Sequence, residues 1–135
     1  MTLVREAMLI DPRSLGVDST AQEAGQLLGN EDVRAVFVCD GDQRLVGVLT
    51  RKTLVREVVA PGKDPRSTRL GEIAEAPHWT FEAESSVEDA FRFMEEQDAE
   101  RVPVVEDGRL VGVLSRSVLR RRLAEDDPPP PLEEL

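Results

Sequence analysis

The sequence predicts an α/β (α+β) fold in which two β-α-β-β-α repeats form a pseudo-twofold pair. Three observations predict it. The octamer Arg44-Leu-Val-Gly-Val-Leu-Thr-Arg51 recurs as Arg109-Leu-Val-Gly-Val-Leu-Ser-Arg116, 65 residues later. Around it Arg34, Val38, Asp40 and Gly41 align with Arg101, Val105, Asp107 and Gly108, while Leu54 and Arg56 align with Leu119 and Arg121. Both copies also carry a helix with a single apolar stripe, followed by two apolar runs separated by a turn. One supersecondary unit written twice in a small chain marks a pseudo-symmetric module, whose ligand sites would come as a related pair.

Each repeat opens on a short helical turn, Leu3-Val-Arg-Glu-Ala-Met8 or Leu70-Gly-Glu-Ile-Ala74, followed by an extended piece near Leu15-Gly-Val17 or Trp79-Thr-Phe81. The next helix is the clearest element. Val87, Ala90, Phe91 and Met94 fall at i, i+3, i+4 and i+7, as an amphipathic helix requires. Ala21, Ala24, Gly25 and Leu28 make the same stripe in the first copy with smaller side chains, so its packing partner must come closer. Thr20 with Glu23 fits a capping box, and Ser86 with Asp89 resembles one.

Ala35-Val-Phe-Val-Cys39 and Val102-Pro-Val-Val105 then read as strands buried on both faces. Proline is awkward in a central strand, so Pro103 is expected at the strand start. Asp107-Gly108 predicts a two-residue hairpin turn, because Gly takes positive φ without penalty. The first copy has two more residues there, Asp42 and Gln43. The partner strands Leu45–Leu49 and Leu110–Leu114 lead to final helices, capped by Thr50 and Ser115 and running toward Val58 and Leu123. The expected organisation is repeat one over 1–60, a Pro- and Gly-containing connector over 61–69, repeat two over 70–124, and an acidic, proline-rich disordered tail over 125–135.

A repeat of about 60 residues buries too little surface to be comfortable alone, so the two are expected to share a core. The net charge of −10 argues against general nucleic-acid binding, which gains affinity when Lys and Arg release counterions from phosphates. Half of that charge sits in the tail, on Glu125, Asp126, Asp127, Glu133 and Glu134, which leaves room for a basic pocket in the body. The longest apolar runs fall far short of the ~20 residues that span a bilayer. The first residues show no signal-peptide pattern, and the single cysteine fits a reducing cytoplasm and is also compatible with other compartments.

Several residues have two readings. Thr50 and Ser115 are helix N-caps, alone or with an added anion that Arg51 and Arg116 would help to hold. Arg120, Arg121 and Arg122 either complement a helix C-terminus or add to such a site. Cys39 is either inert core or redox-sensitive, and Trp79 either covers the second cleft or contacts another subunit. One histidine and one cysteine provide no Cys/His zinc cluster, and no nucleophile–base pair assembles, so an enzyme is not expected. Leu27 and Phe93, at matching places just off the two stripes, hint at a helix face that meets another subunit.

The element order, the two copies and the Gly-Val-Leu-Thr and Gly-Val-Leu-Ser segments resemble the cystathionine β-synthase (CBS) domain family over about residues 3–124. The resemblance implies a tandem pair with two clefts between the repeats. In that family such clefts often hold AMP, ADP, ATP or S-adenosylmethionine, and the pairs usually regulate an enzyme or transporter and commonly dimerise. The family's nucleotide motif joins a Gly, a Ser or Thr that caps the last helix and reaches a phosphate, and an Asp that binds the ribose. Here it reads Gly47-Val-Leu-Thr50-Arg-Lys-Thr53 and Gly112-Val-Leu-Ser115-Arg-Ser-Val118, with the Asp replaced in both copies. The resemblance thus implies a first site of Val36 beside the base, Thr50, Arg51 and Thr53, and a second of Pro103, Ser115 and Arg116.

The expected function is a stand-alone regulatory module, homodimeric and cytoplasmic. It would sense an adenosine-type nucleotide or other anionic small ligand and act on a separate partner. The alternative is an interaction or scaffolding module that has lost nucleotide binding, a reading supported by the missing ribose Asp.

Overall fold

The computed structural model describes residues 2–10 and 12–126. The first repeat runs α1 (Val4–Ala7), β1 (Ser14–Gly16), α2 (Ala21–Leu28), β2 (Val36–Cys39), β3 (Leu45–Leu49) and α3 (Arg51–Leu54), which continues as a π-helical turn over Val55–Val59. The second runs α4 (Leu70–Ile73), β4 (Phe81–Glu82), α5 (Val87–Gln97), β5 (Arg101–Glu106), β6 (Arg109–Ser115) and α6 (Arg116–Asp126). Strand, helix, strand, strand, helix therefore occurs in both copies. Each copy makes a sheet of three strands, ordered β1-β2-β3 and β4-β5-β6. The first strand pairs parallel with the central one, and the third pairs antiparallel.

Local chemistry sets the boundaries. Thr20 Oγ1 accepts the Glu23 N–H at 3.2 Å, and Ser86 Oγ accepts that of Asp89 at 3.4 Å, so each long helix begins where its hydroxyl meets an orphan donor. Ala21, Ala24 and Leu28 are buried on α2, as are Val87, Ala90 and Met94 on α5. Asp107 and Gly108 take φ of 53° and 80°, the geometry of a primed hairpin turn. The longer first turn is held by Asp40, whose Oδ1 accepts the N–H groups of Asp42 and Arg44 at 2.9 and 3.0 Å.

The expected single core is instead two, each completed by the other repeat. Val4 and Ala7 of α1 pack with Val87, Ala90, Met94 and Leu114 of the second repeat. Leu70 and Ile73 of α4 pack with Ala21, Ala24, Leu28 and Leu49 of the first. The exchange is sealed by backbone. Val4 N–H donates to Ser85 O at 2.8 Å, and Leu70 N–H donates to Ser19 O at 2.9 Å. The residues after each exchanged helix then add a bridge to the far sheet. Leu9 and Val113 exchange hydrogen bonds of 2.8 and 3.0 Å, and Glu75 and Val48 exchange 2.9 and 2.7 Å.

These bridges explain the glycine in each octamer. A Cβ on Gly47 would lie 2.7 Å from Ala74 Cβ and 3.1 Å from Glu75 O. One on Gly112 would lie 2.6 Å from Met8 Sδ and 2.7 Å from Leu9 O. Only a residue without a side chain lets the exchanged segment approach. The two hairpins also meet each other, with Leu45 N–H on Gly108 O and Leu110 N–H on Gln43 O, both at 3.0 Å.

Two further expectations need correction, at Pro103 and at the end of α6. Pro103 is the third residue of central strand β5, not its start. Val113, its partner on β6, spends both backbone groups on Leu9, so the proline nitrogen is directed toward the other neighbour, where β4 pairing begins only at Val104. Leu27 and Phe93 are both half-buried within the chain. Leu27 packs against the first core and Phe93 meets Trp79 and Phe81 edge-on, so each spends part of its surface within the chain. Helix α6 continues to Asp126, past the boundary at 124. The rest of the expected tail, 127–135, lies outside the described residues.

Gly47→Ala and Gly112→Ala should each destabilise the fold by about 1–3 kcal/mol, the usual range for overpacking. Thermal melts should fall by several degrees in both. A melt unchanged in either variant would show that the exchanged segment has room to retreat.

Candidate functional site

Two clefts open between the repeats, sharing Ala35, Phe37 and Arg101 as a common wall. Period-two alternation along β2 sends Val36 and Val38 into the first core and leaves Ala35 and Phe37 on the cleft side. The first cleft, of about 210 Å³, is lined by Val48 and Thr50 from the first repeat, by Pro77, His78 and Trp79 after α4, and by Arg101, Val102 and Pro103 from β5. The second, of about 120 Å³, is lined by Leu9, Pro12 and Arg13 after α1, by Asp32, Val33 and Arg34 before β2, and by Val113. Each exchanged helix thus delivers the segment that closes one cleft.

At the first cleft, Thr50 and Thr53 form a reciprocal capping box. Thr50 N–H donates to Thr53 Oγ1 at 3.2 Å, Thr53 N–H donates to Thr50 Oγ1 at 3.4 Å, and the two hydroxyls lie 3.2 Å apart. Thr53 is 1% exposed, so its hydroxyl serves the cap. Thr50 lines the cleft, and a hydroxyl has one proton and two lone pairs. Arg51 is exposed and donates to Asn30 O at 2.8 Å. Trp79, 37% exposed, is held edge-on by Phe93 at 5.5 Å between ring centroids, so an indole borders this cleft. No carboxylate lines it among the described residues.

The second side is built differently. Ser115 is buried, its Oγ accepting the Val118 N–H at 3.5 Å and lying 3.2 Å from Ser117 Oγ. Arg116 has a side chain only 15% exposed, and it is fully engaged. It reaches Asp98 at 3.0 Å, Glu100 at 3.4 Å, Glu95 at 3.9 Å and Met94 O at 3.3 Å. Glu100 in turn accepts the Ser117 N–H at 3.2 Å, so a carboxylate of the chain itself occupies the start of α6. Burial pushes the Glu100 carboxyl upward, but hydrogen bonds from Ser117 and Arg116 outweigh it and hold the group below the usual glutamate range. The matching residue of the first repeat is Val33, which has no charge to offer.

The residues expected at the two sites are therefore regrouped. Thr50 and Pro103, expected in different clefts, line the same one. Val36 does not flank a cleft, because its side chain is fully buried in the first core. Arg116, expected to add charge for a ligand, is neutralised within the chain. Trp79 borders the Thr50 cleft rather than the second. Cys39 is buried, and burial followed by the charge of Asp40 pushes its thiol up, away from the reactive thiolate. Arg13, Arg34, Arg101 and Glu100 were missed. The signal was present for two of them, since Arg34 and Arg101 align at the entry to the central strands of the two copies.

Because the folded carboxyl of Glu100 titrates below its unfolded value, its stabilisation is present above the ordinary glutamate range and lost as pH falls through the folded value. Glu100→Gln should lower the melting temperature near neutral pH, and the gap from the parent should close on acidification below about pH 4. Melts measured across that range check it. A gap independent of pH would show that the carboxylate charge is irrelevant.

Comparison with known proteins agrees with this architecture. The CBS domain family profile matches residues 4–60 and 70–125. Hypoxic response protein 1 of Mycobacterium tuberculosis is 33% identical over 125 residues, covering 93% of this chain and 87% of that protein. The CBS domain-containing protein YhcV of Bacillus subtilis is 27% identical over 115 residues, covering 85% and 81%. Hypoxic Response Protein I, solved with two coordinated zinc ions, superposes with a TM-score of 0.75 at 32% identity over 90% of this chain and 99% of that one. No group of three or more His, Cys, Asp or Glu is placed to hold a metal among the described residues of this chain. A putative acetoin utilization protein (AcuB) from Vibrio cholerae shares the fold with a TM-score of 0.76 at 20% identity over 96% and 99%. With a profile match in each repeat and a relative this similar along nearly its whole length, the chain belongs to the CBS domain family, as a tandem pair.

Proposed function

We propose that this CBS pair is a regulatory module rather than an enzyme, sensing an adenosine-type nucleotide in the Thr50 cleft and acting on a separate enzyme or transporter. One observation carries the reading. The cleft brings a helix-capping hydroxyl, an indole, a guanidinium and an apolar floor together with no carboxylate among its described lining residues. Trp79 offers a face for a purine, Pro103 and Val48 border it, and Thr50 and Arg101 offer hydrogen bonds to an anionic group. Arg51 stands next to this group on the exposed start of α3. The ligand class is AMP, ADP, ATP or S-adenosylmethionine. The related protein CBSX2 was solved in complex with AMP and shares the fold, with a TM-score of 0.76 at 22% identity.

A second reading, an interaction module without a nucleotide, draws on the missing ribose Asp and on Glu100 filling the second side. A thermal-shift titration separates the two, since a ligand that binds only the native state raises its melting temperature. AMP, ADP or ATP should raise it, and Thr50→Ala or Trp79→Ala should weaken the effect by roughly tenfold in affinity, about 1.4 kcal/mol. No shift at millimolar concentration of any of the four ligands would leave the interaction module as the reading.

The proposed assembly is a homodimer in the cytoplasm. An apolar groove of about 510 Å³ runs between α2 and the π-helical turn, and Val59 in its lining is 69% exposed. Two copies meeting there would bury it in a closed twofold contact. No helix among the described residues is long and apolar enough to cross a membrane. Sedimentation should show a dimer at tens of micromolar protein and a monomer for Val59→Glu. A monomeric parent would refute the assembly.

A further inference from the structure

We propose that the two clefts act as one elongated site for a single nucleoside polyphosphate, with its base in the Thr50 cleft and its phosphate tail laid across Arg101 onto Arg34 and Arg13. The inference rests on the nucleotide reading above and deepens it. Volume is the first argument. Neither cleft, at about 210 and 120 Å³, reaches the roughly 300 Å³ at which small-molecule pockets begin, whereas together they do. Arg101 belongs to their common wall, so a ligand that spans both clefts passes this residue.

Charge is the second argument. Arg13, Arg34 and Arg101 all line the smaller cleft, and none forms an ion pair with another described residue. The one carboxylate in that lining is Asp32. Three arginines on one cleft lining suit a row of phosphates, which guanidiniums bind with forked hydrogen bonds. The third argument excludes a second nucleotide. At the start of α6 the position open to a phosphate is held by Glu100, and Arg116 is neutralised by Asp98 and Glu100. The smaller cleft thus has arginines with no ion-pair partner among the described residues but no open cap, which suits the tail of a ligand anchored next door.

Calorimetry on the full chain with adenosine, AMP, ADP, ATP and inorganic tripolyphosphate tests this. One ligand should bind per chain, with affinity rising along the series and ATP at least tenfold tighter than AMP. Arg34→Ala and Arg13→Ala, both exposed positions, should weaken ATP and tripolyphosphate at least tenfold while leaving AMP within twofold, and Arg34→Lys should recover part of the loss. AMP binding as tightly as ATP, two nucleotides per chain, or arginine variants that bind ATP normally would each overturn the elongated site and leave the nucleotide reading intact. If no adenosine compound binds, both fall, and tripolyphosphate binding through the arginines would then identify a plain anion site.

Discussion

The exchange of leading helices is the constraint on which the rest of the molecule depends. A four-residue helix such as α1 or α4 has no stability of its own and persists only by burying its apolar face. Each finds that burial in the other repeat, so neither core is complete without both halves of the chain. Exposed ion pairs follow the same path, with Arg5 of α1 on Glu84 and Glu106, and Arg56 on Glu75 beyond α4. Such pairs contribute little energy individually. The apolar burial and the backbone bridges at Val48 and Val113 hold the exchange in place.

The clefts follow from that exchange. A segment that must cross from one sheet to the other passes over the gap between them, and its side chains become the cleft's third wall. Trp79 reaches the Thr50 side in this way, and Arg13 reaches the other. Because the crossing segments belong to opposite repeats, each cleft is a composite, and no residue set drawn from one repeat describes it.

The duplication is symmetric in backbone and asymmetric in charge. Where the second repeat places Glu100 at the start of its last helix, the first places buried Val33. The second side therefore closes on itself in a network of Arg116 with three carboxylates, which Arg120 joins through Glu95, while the first keeps a helix start without an acidic partner among the described residues. The difference between Val33 and Glu100 is one of those that make the two sides chemically distinct. In an acidic chain, Arg101 on the shared wall and Arg13 and Arg34 in the smaller cleft are where an anion would concentrate.

Much of the fold was legible in the sequence because its signals are local. Capping hydroxyls at Thr20 and Ser86, stripes such as Val87, Ala90 and Met94, and the Asp107-Gly108 turn specify elements through neighbours a few residues away. The octamer repeat then showed that the elements come twice. Thr50 was likewise legible as a helix cap, since a cap constrains residue type directly. Tertiary structure alone decided what lies opposite what. That α1 serves the second core, that Pro103 joins Thr50, that Val36 turns inward while Phe37 faces the cleft, and that Arg116 is taken up by Asp98 and Glu100 are all relations between segments distant along the chain or settled by strand register. Local propensity carries no record of such partners, because the energy that selects them arises only when the two repeats pack together.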